Sequence, residues 1–253
     1  LAQEPVERDP LAGHAFQRRD APHLTDEQQR AVAPVLQSLR LGRPRSFLLH
    51  GVTGSGKTEV YLSALQETLA LGKRAIVLVP EIALTPQTVR RFAERFPGQV
   101  AVLHSGLSPG EQFDQWHGVR EGRYGVVIGS RSAVFAPQPD LGLIVIDEEH
   151  EWTYKQADRV PRYHARAAAE ELARLTGAVL LLGSATPDVE SYQRALWGQH
   201  ELLQLHERVR PRLDASGAPF DIVSSPALPA VEVVDMRDEL KAGNRSIFSR
   251  SLQ

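Results

Sequence analysis

Seven short apolar runs set the terms on which this chain can fold. They are RSFLLH, RAIVLVP, QVAVLH, YGVVIG, LGLIVID, AVLLLG and HELLQL, spread between Leu24 and His206. Each is almost continuously hydrophobic instead of alternating, as strands buried on both faces are. Helical patterns lie between them. Thr25 and Gln28 form a capping box ahead of Ala31, Val32, Val35 and Leu39. Thr85 followed by Pro86 starts another helix, with Val89, Phe92 and Phe96 on one side. Pro34 is expected to kink or split the first of these helices. Alternating strands and helices dictate an α/β fold: a mostly parallel sheet flanked by helices.

The stretch HGVTGSGKTEV, residues 50–60, is a poor helix and a poor strand, yet it joins one to the other. Gly51-x-x-x-x-Gly56-Lys57-Thr58 is the phosphate-binding loop, in the strand-to-helix setting that loop requires. Gly54 and Gly56 allow backbone angles that turn successive N–H groups of the loop, Ser55 included, toward an anion. The helix that follows adds its positive end. Lys57 reaches the β- and γ-phosphates of ATP, and the Thr58 hydroxyl serves Mg²⁺.

LIVIDEEH, residues 143–150, ends a buried strand in three acids and a histidine, where open α/β sheets hold ligands. Asp147 is the candidate for the Mg²⁺ shell and Glu148 for activating water. LLGSATP, residues 181–187, runs another strand into Ser184 and Thr186, with Thr186 before Pro187 as a helix cap and both residues as candidates for DNA contact or coupling.

EWTYKQADRVPRYHAR, residues 151–166, interleaves Trp152, Tyr154 and Tyr163 with Lys155, Arg159, Arg162 and Arg166. Aromatics stack on bases and cations meet phosphates, so the stretch suits single-stranded DNA. Arg131 and Ser132 in GSRSAVF, and His104 in VLHSG, are further candidates for DNA contact, and His150 for coupling. Gln28 is a candidate for reading adenine as well as for capping.

With 253 residues, net charge −2 and no cysteine, the chain has no thiolate metal site, no disulfide and no basic bulk charge to favour nucleic acid. Any DNA binding must be local. No apolar run is long enough to span a bilayer, and the lack of cysteine fits the cytosol. Residues 1–23 read as a linker or arm. Residues 207–229, with four prolines, read as a long loop, and AVEVVDM as a last strand. The chain opens without Met, so a longer parent protein is expected.

The order of motifs resembles the first motor lobe of superfamily 2 helicases, a RecA-like P-loop NTPase domain. GVTGSGKTEVYL, VPEIALTPQT, LHSGLS, IGSRSAVFAP, VIDEEHEWTYKQ, RYHARAAA and GSATP together resemble the replication-restart helicase family PriA (primosomal protein N′). The resemblance implies a bacterial cytoplasmic ATP-dependent helicase that unwinds DNA 3′ to 5′ at stalled forks and D-loops, with primosome proteins as partners and no membrane. It implies lobe 1 over residues 24–206, with residues 207–253 leading toward a second lobe that carries the zinc. It also implies that this lobe binds ATP and Mg²⁺ but hydrolyses ATP poorly alone, the arginine finger coming from that second lobe. Ala167 departs from the acid the family often has there. Another superfamily 2 translocase, such as a fork-remodelling helicase, and a P-loop kinase or switch protein are the alternatives.

Overall fold

A computed structural model of the chain describes residues 8–11, 16–158, 160–213, 219–225 and 233–252. Seven strands form one parallel sheet. They are β1 (Ser46–Gly51), β2 (Arg74–Leu78), β3 (Val100–Leu103), β4 (Val126–Gly129), β5 (Leu141–Ile146), β6 (Val179–Ser184) and β7 (Glu201–Leu205). Their order across the sheet is β3-β4-β2-β5-β6-β1-β7, and every neighbouring pair runs parallel.

Two-sided burial explains the continuous apolar runs. Phe47 and Leu49 of β1 face one core with Val77, Val145 and Leu181. Leu48 faces the other, with Ile76, Ile144 and Leu182. Helices α1 (Asp26–Arg40), α2 (Lys57–Ala70) and α3 (Pro86–Arg95) cover the first face. Helices α4 (Pro109–Arg120), α5 (Ala165–Thr176) and α6 (Val189–Leu196) cover the second.

Helix α1 is not split. It runs through Pro34 as one element, because its buried stripe of Ala31, Val32, Val35 and Leu39 outweighs the single backbone hydrogen bond the proline removes. The Thr25–Gln28 capping box is formed in both directions. Thr85 caps α3 by accepting the N–H of Thr88, with Pro86 at the first turn.

Three expectations fail in the segments after β6. Thr186 does not cap α6, since Asp188 does so by accepting the Glu190 N–H. The long loop contains an antiparallel hairpin, β8 (Arg208–Leu213) with β9 (Pro219–Ser225). Of the expected strand AVEVVDM, residues 230–232 lie outside the described residues and 233–235 have no regular structure. Met236–Lys241 is helix α7, capped by Asp235 and with Asp238 and Glu239 in its first turn, where acids favour a helix over a strand. Among the described residues no helix is long and apolar enough to cross a membrane.

Candidate active site

The C-terminal ends of β1, β5 and β6 lie close together because these strands are near neighbours in the sheet. The chain leaves β1, forms the glycine loop and enters α2 at Lys57. Gly56 sits at φ +79°, the left-handed region, and is the N-cap of α2. A Cβ there would run into the Gln28 side chain. The site therefore requires glycine for both backbone angle and space.

Lys57 is almost buried and its Nζ donates to the Gly51 carbonyl at 3.0 Å. The same Nζ lies 3.5 Å from Glu148 Oε1. Ser55 Oγ is buried within the loop with no hydrogen-bond partner. An unpartnered hydroxyl, a lysine ammonium and a glycine cradle at a helix N-terminus are the donor set a polyphosphate needs. The residues fit a nucleotide phosphate on that ground. Thr58 and Asp147 border a cavity of about 800 Å³ that runs from the start of α2, past Glu59 and Tyr61, to Arg91 and Phe92 of α3; Lys57 and Ser55 do not line it. A hydroxyl and a single carboxylate suit Mg²⁺, which takes its remaining ligands from phosphate and water.

Asp147 is held by Tyr61, whose hydroxyl donates to Oδ1 at 3.0 Å, and by Tyr154, whose hydroxyl donates to its carbonyl at 2.7 Å. Burial, and then the neighbouring Glu148 charge, push the Asp147 carboxyl up to about 6. Burial and the same carboxylates raise the Tyr61 and Tyr154 hydroxyls. Tyr61 follows Lys57 by one helical turn, so i,i+4 spacing was a signal that could have found it. Gly183 on β6 makes room for it: a Cβ there would collide with the Tyr61 hydroxyl.

Glu148 adopts φ +45°, a left-handed conformation that a non-glycine residue reaches at a cost of about 1 kcal/mol. This turn directs its carboxylate between Lys57 and the end of β6, where Oε2 accepts the Ala185 N–H at 3.4 Å. His150 joins the two strand ends. Its Nδ1 is 2.7 Å from Ser184 Oγ and 3.6 Å from Glu148 Oε2, and its Nε2 is 3.4 Å from Thr186 Oγ1. Ser184 is fully buried and its Oγ also accepts the Thr186 N–H.

Glu149 turns the opposite way, into the protein. Its side chain is fully buried and meets Arg166 NH1 at 2.7 Å, Ser191 Oγ at 2.8 Å and the Asp188 N–H at 2.8 Å. Arg166 is thus a buried ion-pair partner and not an exposed cation. The two residues are 17 apart, and no local spacing announces the pair.

The remaining candidates lie on the surface or in the core around this site. Trp152 is 80% exposed, but Tyr154 is 1% exposed and belongs to the core, so it cannot stack on a base. Its hydroxyl is bonded to the Asp147 carbonyl instead. Lys155 and Arg162 are exposed, and Arg159 lies outside the described residues. Arg131 NH1 donates to the carbonyls of Thr153 and Lys155, both at 3.0 Å, and so braces the aromatic loop. Ser132 is exposed beside it. His104 closes its own turn by accepting the Gly106 N–H on Nδ1. Gln28 is 1% exposed, with Oε1 accepting the Thr25 N–H and Nε2 donating to the Ser55 carbonyl at 2.9 Å.

Residues 25–195 match the DEAD/DEAH box helicase family. The chain is 50% identical over 249 residues to the replication restart protein PriA of Bacillus subtilis (strain 168), covering 98% of this chain and 29% of that protein. It is 49% identical over 237 residues to the replication restart protein PriA of Synechocystis sp., covering 92% of this chain and 26% of that one. The chain therefore spans under a third of the length of these relatives. Among solved structures, RecG bound to a three-way DNA junction aligns with a TM-score of 0.56 and 27% identity, over 76% of this chain and 25% of that one.

Proposed function

The chain belongs to the DEAD/DEAH box helicase family, and from that premise we propose that residues 24–206 are the ATP-binding motor lobe of a 3′-to-5′ DNA helicase acting in replication restart. The observation that carries this reading is the joining of Lys57, Glu148 and His150 at the sheet's C-terminal edge, with Asp147 next to Glu148 and held by Tyr61 of the helix that Lys57 opens. Similarity to PriA proteins along nearly the whole chain narrows the class from helicases at large to replication restart. Stalled forks and D-loops as substrates, primosome proteins as partners, a cytoplasmic setting and zinc confined to a second lobe are part of the same proposal, and the similarity to PriA proteins supports it.

Within this reading each side chain has a task. The loop N–H groups and Lys57 bind and orient the phosphates. Thr58 and Asp147 hold Mg²⁺, which when bound neutralises charge on the phosphate oxygens. Glu148 orients the attacking water and accepts its proton, and its contact with Lys57 gives way to the substrate. His150, through Ser184 and Thr186, ties that carboxylate to the end of β6. Gln28 reads adenine only by exchanging one of its present partners. DNA contact falls to Trp152, Lys155 and Arg162 on the exposed loop, with Arg131 bracing it, and to Ser132 and His104.

The test is phosphate release with and without single-stranded DNA, in a protein of the relatives' full length. Glu148→Gln should bind nucleotide yet lose at least a hundredfold in kcat. Wild-type turnover that ignores DNA would oppose the helicase reading, and undiminished turnover in the variant would remove Glu148 from its role.

A further inference from the structure

The phosphate loop is held from outside by two groups that belong to neither β1 nor α2. Gln28 Nε2 donates to the Ser55 carbonyl at 2.9 Å. The main-chain N–H of Val209, in β8, donates to the Gly54 carbonyl at 2.8 Å. Within the hairpin Val209 pairs with Ser224. Its N–H points away from β9, free for the loop. Pro211, two residues on, has no N–H to present on that same outward edge, which is where a strand tolerates proline. The Val209 side chain also reaches the loop, 3.3 Å from where a Cβ of Gly56 would stand.

The hairpin is itself moored to the start of α1. Glu27 accepts the N–H groups of His206 and Glu207, at 2.7 and 3.1 Å, at the exit of β7. Consecutive residues of one helical turn therefore reach two places: Glu27 the root of the hairpin, Gln28 the loop.

A trans peptide carries its C=O and N–H in opposite directions. Pinning the Gly54 and Ser55 carbonyls outward turns the N–H groups of Ser55 and Gly56 inward, toward the anion. The Ser55 N–H already points into the loop, where it donates to the Val52 carbonyl at 3.0 Å. Resting on the nucleotide-binding reading above, we propose that the β8–β9 hairpin is a component of the nucleotide site. The Val209 main-chain N–H, seated by Glu27, is a positioning group that presets the polarity of the phosphate nest.

The experiment is calorimetric titration of the chain with Mg·ADP. Val209→Pro removes the N–H while keeping an extended backbone, and Val209→Ala keeps the N–H. Losing one hydrogen bond from a preorganised site should weaken Val209→Pro binding about 3- to 10-fold. Val209→Ala, which keeps the N–H but shortens the side chain against Gly56, should lose less affinity than Val209→Pro, and both variants should stay folded, with melting temperatures without nucleotide lowered by no more than a few degrees. Glu27→Gln should weaken binding less than Val209→Pro. Hydrogen exchange on wild type covers the case in which the proline variant does not fold: the Val209 amide should exchange more slowly once Mg·ADP binds. A folded Val209→Pro that binds as wild type, or a Val209 amide indifferent to nucleotide while the loop amides slow, overturns the proposal. Wild type failing to bind Mg·ADP would instead remove the nucleotide reading beneath it.

Discussion

Arg166→Met should be among the most destabilising single changes in this chain. Arg166 is about nine-tenths buried, and the Glu149 carboxylate it meets is fully buried. Ser191 Oγ and the Asp188 N–H would still bond Glu149 in the variant, but no cation would remain at 2.7 Å. Breaking a buried pair from one side costs about 3–5 kcal/mol, because the partner charge is left uncompensated. For a domain of this size each kcal/mol moves the melting temperature by about 2–4 °C. The expected fall is about 6–20 °C by calorimetry, or about 3–5 kcal/mol by urea unfolding. Glu149→Gln/Arg166→Met removes both charges, and the glutamine oxygen can still accept the Asp188 N–H while its amide NH2 donates to Ser191 Oγ, so it should cost less than the two single changes added together. A single-variant loss under about 1 kcal/mol, the range of an exposed pair, would refute the reasoning. So would strict additivity in the double variant.

Gly183→Ala should destabilise the chain by about 1–3 kcal/mol through overpacking against Tyr61, with partial recovery in Gly183→Ala/Tyr61→Phe; urea midpoints decide. Asp147 has its carboxyl raised to about 6, so the folded chain holds that proton more tightly than the unfolded one. Its contribution to stability is present below about pH 4 and lost as pH rises through about 6. Asp147→Asn keeps an acceptor for Tyr61 and removes this loss. Without nucleotide it should therefore melt several degrees above wild type near neutral pH and together with it near pH 4, while losing the Mg²⁺-dependent part of nucleotide affinity; melting curves across pH check both. Lys155→Ala/Arg162→Ala should lower the salt slope of single-strand binding by about 1.4, at about 0.7 per lost cation. An unchanged slope would move the DNA contact elsewhere.

The sheet was legible because parallel strands are buried on both faces and therefore spell themselves as unbroken apolar runs. The phosphate loop was legible because its glycines and lysine are fixed by phosphate chemistry at short spacing. What escaped was non-local or carried by the main chain. Arg166 looked like one more cation in an aromatic stretch, since its carboxylate partner lies 17 residues upstream. Tyr154 looked like a stacking ring until the fold turned it inward. The hairpin was hidden by its prolines, which suggest a loop unless the edge they occupy is known, and its bond to Gly54 involves no side chain at all. Asp188 took the cap from Thr186 because α6 begins at Val189, later than the Thr186–Pro187 pair suggests.

The central claim, that the Gly51–Thr58 loop holds a nucleotide's phosphates, meets its most direct test in calorimetric titration of the chain with Mg·ATP, beside Lys57→Ala. Lys57 is buried and directed at the loop and at Glu148, and a charge-assisted hydrogen bond contributes about 1.5–3 kcal/mol. The account predicts saturable one-to-one binding by wild type, weakened at least tenfold in the variant while the fold is retained. Wild type that takes up no nucleotide at millimolar concentration, or a folded Lys57→Ala that binds as tightly, would contradict it.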